Sequence, residues 1–334
     1  MIELKIASKK EADIVVEFLK NHWRKDHILV LDRELFLYEF QNENNLNIAI
    51  AKDGDEVVGI FGYIFYNSLN LPDMAGSLWK VKDGCKEPFL GLKLRDFAIK
   101  NIAHRFFAAP GTNLQTKDIY KMLGMDFEKL NHFFMINHDK KEYKIAKIPN
   151  SFKQKEITKT AFKVKELKTR DELNLFNFIK YKDILPYKDA NYVEKRFINH
   201  PYYKYSIFLI EKNESQTLFV TREVAFENSK ALRVVDFYGD ENLLQMSNFL
   251  KDLIQKNSYE YVDFLNYGID KRSLKDAGFH LLQEEKDVVI PNYFEPFLQE
   301  NKDIYFVKDK TNLPFRMCKA DGDQDRPNRI KDAK

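Results

Sequence analysis

Asn113, Thr116 and Tyr120 stand at N-x-x-T-x-x-x-Y spacing in the run NLQTKDIYKMLG, which reads as a helix ended by Gly124 and followed by Met125. A phenol with the ordinary pKa of ~10 is protonated at neutral pH and can hand its proton to a departing thiolate. Tyr120 reads equally as a half-buried tyrosine packed beside Ile119 and Leu123. Upstream, NHWRKDHILVLDRELFLYEF places His22, Trp23, His27, Asp32, Tyr38 and Glu39 on two early helices. An amine nucleophile must lose a proton before or as it attacks a carbonyl, and a histidine or carboxylate can take it. His27, at the joint between those helices, is better placed for that than His22 near the surface end of the first. Lys86-Glu87-Pro88-Phe89-Leu90-Gly91-Leu92 leads into another helix, whose free N–H groups and positive dipole end suit a phosphate, and Gly91 permits close backbone approach. Cys85 is a conceivable nucleophile with no identified base. Asp321, Asp323 and Asp325 have the spacing of a calcium loop, but Arg326 occupies the position that loop reserves for glycine, so no metal is expected.

The elements that must position these groups follow from periodicity. The chain has 334 residues, 44% hydrophobic and 31% charged, enough for two globular cores. Its 54 basic and 51 acidic residues leave a net charge of +3, too balanced for a nucleic-acid binder. No stretch is long and apolar enough for a membrane span, the N-terminus lacks an export leader, and two cysteines cannot frame a disulfide scaffold, so a cytoplasmic setting is expected. In the first half the pattern runs strand, helices, three strands, helix, strand, helix, strand. Asp53-Gly54 makes a hairpin, and FEKLNHFFMI is the final strand. EYVDFLNYGIDKRSLKDAGFHLL repeats the rhythm of RFFAAPGTNLQTKDIYKMLGMDF, which indicates an internal duplication. Aligning Gly278 on Gly124 sets Leu274 opposite Tyr120 and Tyr267 opposite Asn113. The expected organisation is an N-terminal α/β domain over 1–140, a basic linker over 141–160, a degenerate second copy over 161–310 and a polar tail over 311–334.

This element order, with the Asn113–Thr116–Tyr120 spacing, resembles the GCN5-related N-acetyltransferase superfamily over residues 1 to about 138, and in degenerate form from about 160 to 295. The resemblance implies an α/β fold of two tandem acetyltransferase-like domains, each a mixed central sheet flanked by helices. It also implies acetyl-CoA or another acyl-CoA as cofactor. By it, the stretch containing Val81, Lys86, Leu90, Gly91 and Leu92 would hold the pyrophosphate, with Asn113, Thr116 and Tyr120 at the pantetheine and thiolate. The family's [RQ]-x-x-G-x-[GA] loop is departed from: if Gly91 fills the last position, Lys86 replaces Arg or Gln, and Phe89 replaces the first Gly. Trp23, His27, Tyr38 and Glu39 would flank the acceptor groove. Asp83 and Glu87 rival His27 as base, because the preceding strand splays open at the chemistry in this fold. HWRKDHILVLDRELFLYEF and the segment CKADGDQDRPN further resemble acyltransferase-like proteins of bacterial surface-sugar biosynthesis. The implied activity is acyl-CoA-dependent N-acylation of a small amine such as an amino sugar or nucleotide-linked amino sugar. Alternatives are aminoacyl transfer to a peptidoglycan precursor, and a non-catalytic binding module that has lost the cofactor. The sequence does not give the oligomeric state.

Overall fold

The computed structural model describes residues 1–329. Strand β1 (Ile2–Ser8) leads into helices α1 (Ala12–His22), α2 (Ile28–Leu31) and α3 (Arg33–Phe40). The second of the two early helices is two pieces, because the Asp32 side chain accepts the Leu35 N–H at 2.9 Å and starts a new helix there. Strands β2 (Asn45–Asp53) and β3 (Glu56–Phe65) form the hairpin expected at Asp53-Gly54, where Gly54 takes φ +60°. After them come β4 (Asp73–Val81), α4 (Leu90–Asn101), β5 (Phe106–Pro110), α5 (Lys117–Met122) and β6 (Asp126–Lys129). Apolar faces of α1–α3 cover one side of this sheet, and α4 covers the other. Among the described residues no helix is long and apolar enough to cross a membrane.

The stretch expected as one final strand divides at Leu130. Past that residue the chain leaves the first sheet, and β7 (Asn131–Ile136) joins a second one built from β8 (Val164–Leu167), β9 (Ser206–Lys212), β10 (Ser215–Phe226), β11 (Ser229–Gly239), β12 (Tyr261–Tyr267) and β13 (His280–Leu281). Helices α6 (Leu243–Lys256) and α7 (Lys271–Asp276) belong to this half. In return β14 (Tyr305–Lys308) enters the first sheet between β5 and β6. The first sheet then runs β1-β2-β3-β4-β5-β14-β6 and the second β8-β9-β10-β11-β12-β7-β13, the same plan twice with one strand exchanged each way. Both exchanged strands are buried on two faces, as central strands must be, so NHFFMI shows no alternation. A buried ion network fixes β7 in place: Asp263 accepts from Arg233 at 2.8 Å and lies 3.1 Å from His132 Nε2.

Two expected boundaries are corrected by this exchange. The chain changes sheets at Leu130 rather than near 140, and residues 141–160 are no free linker. Glu260 accepts the backbone N–H groups of Lys144, Ile145 and Ala146 at 2.7, 2.9 and 3.1 Å. The polar C-terminal stretch is likewise folded into the body of the protein. From Met317 to Asp321 the chain is buried, because strand β15 (Met317–Cys318) pairs with β12. Residues 330–334 of the expected tail lie outside the described residues.

Candidate active site

The duplicated sheets differ at one place. In the first, β4 and β5 pair in parallel only at Asp73–Phe106, Met74–Phe107 and Ala75–Ala108, and beyond Gly76 the strands part. In the second, β11 and β12 pair at Leu232–Val262, Arg233–Asp263 and Val234–Phe264 and then part in the same way. There the gap is filled by the chain itself: β15 pairs with β12 at Asn266 and Tyr267, and the Ala320 N–H donates to Val235 O on β11 at 2.8 Å. Among the described residues no strand pairs into the first gap; Gly322–Gln324 packs against Pro110 and Gly111 at its edge and Asp323 bonds Ser77 there, yet the gap opens into a cavity of about 450 Å³ whose lining includes Gly76, Ser77, Trp79, Asn113, Thr116 and Tyr120.

Tyr120 is the most chemically legible group in that cavity. Its ring lies edge-on to Trp79, with centroids 5.8 Å apart, and its hydroxyl has no hydrogen-bond partner among the described residues. Burial pushes its pKa up to about 12, against a smaller opposing pull from Arg95, so it stays a proton donor. The Arg95 guanidinium is buried 5.9 Å from the Tyr120 ring centroid, with no partner for Nε among the described residues. Asn113 caps the turn before α5, its side chain accepting the Gln115 N–H at 3.0 Å, and Thr116 Oγ1 donates to Asn113 O at 2.7 Å.

His27 lines the same cavity, but both of its nitrogens are engaged. Nδ1 accepts the Leu29 N–H at 3.2 Å as the cap of α2, which leaves the ring proton on Nε2, 3.3 Å from Asn328 Oδ1. Burial, then the charges of Arg326 and Arg24, bring its pKa down to about 3, so the ring is neutral and has no free lone pair for a substrate proton. Trp23 packs on it, ring centroids 4.5 Å apart.

A second cavity of about 420 Å³ lies between the halves, and Tyr38 and Glu39 open into this one rather than the first. Its far wall comes from the helical turns Ala190–Val193 and Glu194–Ile198 and from His200. Asp323 lines both cavities. It accepts from Ser77 Oγ at 2.7 Å and from Arg326 at 3.0 Å, and Arg326 in turn holds Glu39 at 2.6 Å. The three aspartates with calcium-like spacing thus go to three different partners: Asp321 lies 2.7 Å from Lys188, Asp323 meets Arg326, and Asp325 pairs with Arg222 at 2.7 Å.

Of the residues expected to act, Trp23, His27, Asn113, Thr116 and Tyr120 are brought together, and Tyr38 and Glu39 sit across the Asp323 wall. Asp83 and Glu87 are not in either cavity. Asp83 is exposed and held by Lys80 at 2.6 Å, while Glu87 pairs with Lys93. Val81, Lys86, Leu90, Gly91 and Leu92 lie along the end of β4 and the start of α4, outside the lining of both cavities. Trp79 Nε1 joins the two regions by donating to Gly91 O at 3.1 Å. Phe89, standing where the family pattern has its first glycine, takes φ +57°, a left-handed conformation that glycine adopts without strain. Ser77 was missed as a site residue; the tail around Arg316 to Arg326 was expected to contribute polar groups at the acceptor side, but the contacts of Asp323 with Ser77 and of Arg326 with Glu39 required the fold.

No known family model matches the chain, and no curated protein matches it. Solved structures do. The chain is 10% identical to a GCN5-related N-acetyltransferase from Anabaena variabilis, over 92% of this chain and 72% of that one, with a TM-score of 0.56. A GCN5-related N-acetyltransferase from Kribbella flavida gives 10% identity, 92% and 70% coverage and a TM-score of 0.51. The fold is that of the GCN5-related N-acetyltransferases. A conserved protein of Enterococcus faecalis, at 8% identity over 92% of this chain and 72% of that one, shares it with a TM-score of 0.53. In acetyltransferase-fold terms the chain is a tandem pair, with one strand gap open and the other closed.

Proposed function

We propose that the protein is an acyl-CoA-dependent N-acyltransferase whose first half alone binds the cofactor. The observation that carries this reading is the asymmetry of the two gaps: β4 and β5 part over an open cavity, whereas Met317–Ala320 occupies the equivalent space between β11 and β12. Backbone groups that the parting of β4 from β5 frees from sheet pairing would hold the pantetheine amides there, as they would those of an added strand. The start of α4 at 86–92, where Phe89 holds a glycine-like backbone turn despite its side chain, would receive the pyrophosphate.

The acceptor enters from the second cavity and reaches the thioester past Asp323. Its neutral amine attacks the thioester carbon, the N–C bond forms, and the C–S bond breaks. The nitrogen loses its proton to solvent or a cavity carboxylate, while Tyr120 protonates the CoA thiolate and is itself reprotonated from solvent. The polar lining of the second cavity, Glu39, Asn47 and Lys195 included, favours a polar acceptor, such as an amino sugar or its nucleotide-linked form. Titration calorimetry with acetyl-CoA tests the reading: one site per chain is expected. Failure of acetyl-CoA and longer acyl-CoAs to bind at millimolar concentration would leave the fold without the activity.

A further inference from the structure

The second cavity is chemically two-sided. On the wall from the first half, Glu39 Oε1 on α3 and Asn47 Oδ1 on β2 are buried acceptors with no hydrogen-bond partner among the described residues. Asn47 is 7% exposed and the Glu39 side chain 10%. An unpaired buried acceptor costs about 1–3 kcal/mol, so two in one cavity are expensive unless a ligand supplies donors. Arg326 already satisfies the other Glu39 oxygen, which fixes the carboxylate and leaves Oε1 free.

The wall from the second half carries the opposite inventory. Lys195 Nζ makes no ion pair or hydrogen bond among the described residues and stands 5.6 Å over the Tyr38 ring. Arg196 spends Nε and Nη2 on the carbonyls of Ala320 and Asp325, which leaves Nη1 without a partner among the described residues. His200 accepts the Tyr202 and Tyr203 N–H groups at Nδ1, at 3.1 and 2.9 Å, so its ring proton sits on Nε2 with no partner among the described residues. The remaining acid of that wall, Asp189, is consumed: its two oxygens accept from Tyr192 N at 2.8 Å and Ser68 N at 2.8 Å.

The geometry points to a zwitterionic ligand in this cavity: a primary ammonium received by Glu39 and Asn47, and an oxyanion, carboxylate or phosphate, received by Lys195, Arg196 and His200. This rests on the acyltransferase reading only for calling that ligand the acceptor. The ammonium end is the one beside the donor cavity, because Glu39 is tied through Arg326 to Asp323, which lines both.

The test uses the full chain without acyl-CoA, with ligand-observed NMR titrations. The zwitterion probes are glucosamine 6-phosphate and glucosaminic acid; glucosamine carries only the amine, and glucose 6-phosphate and gluconate carry only the anion. At least one zwitterion should bind about tenfold or more tighter than each of its single-charge counterparts, as two charge-assisted contacts require. Which zwitterion wins identifies the oxyanion. Glu39→Gln keeps an oxygen for Arg326, so the chain folds. It should cost the zwitterion and glucosamine about tenfold each while leaving glucose 6-phosphate unchanged, and Lys195→Met should do the converse. Equal binding of zwitterions and single-charge probes, no binding of any probe at 10 mM, or equal effects of Glu39→Gln on all probes would overturn the assignment. Because these titrations contain no CoA, their failure alongside normal acetyl-CoA binding refutes only this site. Failure of acetyl-CoA with zwitterion preference intact refutes only acyl transfer.

Discussion

Replacing Phe89 by glycine should stabilise the protein, an unusual outcome for removing an aromatic ring. Phe89 takes φ +57° at the start of α4 while its side chain is 77% exposed. A left-handed conformation costs an L-residue roughly 1–2 kcal/mol, and glycine returns about 0.5–1 kcal/mol of that through its more flexible unfolded chain. Little packing is lost from so exposed a ring, so the net gain is about 0.5–1 kcal/mol. At roughly 2.1 cal/mol/K per residue this raises Tm by only about 1 °C in 334 residues, so urea titration is the better assay. Phe89→Ala is the control, because it removes the ring and keeps the strain. Glycine should exceed alanine by about 1 kcal/mol, with acetyl-CoA affinity held or improved in the glycine variant. Alanine matching glycine would mean that the turn is unstrained, and the argument for a retained phosphate loop would go with it.

Tyr120→Phe should lower kcat about 10²-fold and change the acetyl-CoA Kd by no more than a few-fold, as stopped-flow and calorimetry would show; unaltered kcat would make Tyr120 a packing residue. His27→Asn retains a helix-capping side chain, so turnover should stay within a few-fold of wild type, whereas a His27 base would cost orders of magnitude. His27 and His200 are both held neutral down to about pH 3, but in the unfolded chain each gains a proton near 6.5. The unfolded state therefore binds more protons between those values, and stability falls as pH drops below 6.5, by up to roughly 1.4 kcal/mol per pH unit for each ring. Urea midpoints at pH 7 and 5.5 would check this, with a shallower dependence in His27→Asn. Lys188 lies 2.5 Å from Asp236 and 2.7 Å from Asp321, all three buried, so Lys188→Met should destabilise by about 3–5 kcal/mol. Urea unfolding with a loss under 1 kcal/mol would show that the cluster relaxes without its cation.

Much of this architecture was legible because periodicity and turn chemistry are local. The Asp53-Gly54 hairpin, the helix before Gly124 and the repeat of that unit before Gly278 all stand where the pattern put them. The exchange of β7 and β14 was not legible, since an apolar run such as NHFFMI fits the centre of either sheet equally well. The degeneracy of the second copy was expected from Leu274 opposite Tyr120 and Tyr267 opposite Asn113. In the structure Leu274 is buried core and Asp236 is paired with Lys188, and what fills the gap is Met317–Ala320, some eighty residues later in the chain. Asp323 and Arg326 reach the site by the same long return, so no spacing rule could have joined them to Ser77 or Glu39.

The most direct measurement is a crystal structure of the full chain with acetyl-CoA. One cofactor molecule is expected, with pantetheine between β4 and β5, pyrophosphate at 86–92 and the thioester sulfur within hydrogen-bond reach of the Tyr120 hydroxyl; the gap between β11 and β12 should still hold Met317–Ala320. Density for the cofactor in the second half, or an unoccupied first gap at saturating acetyl-CoA, would contradict the assignment of donor site and chemistry alike.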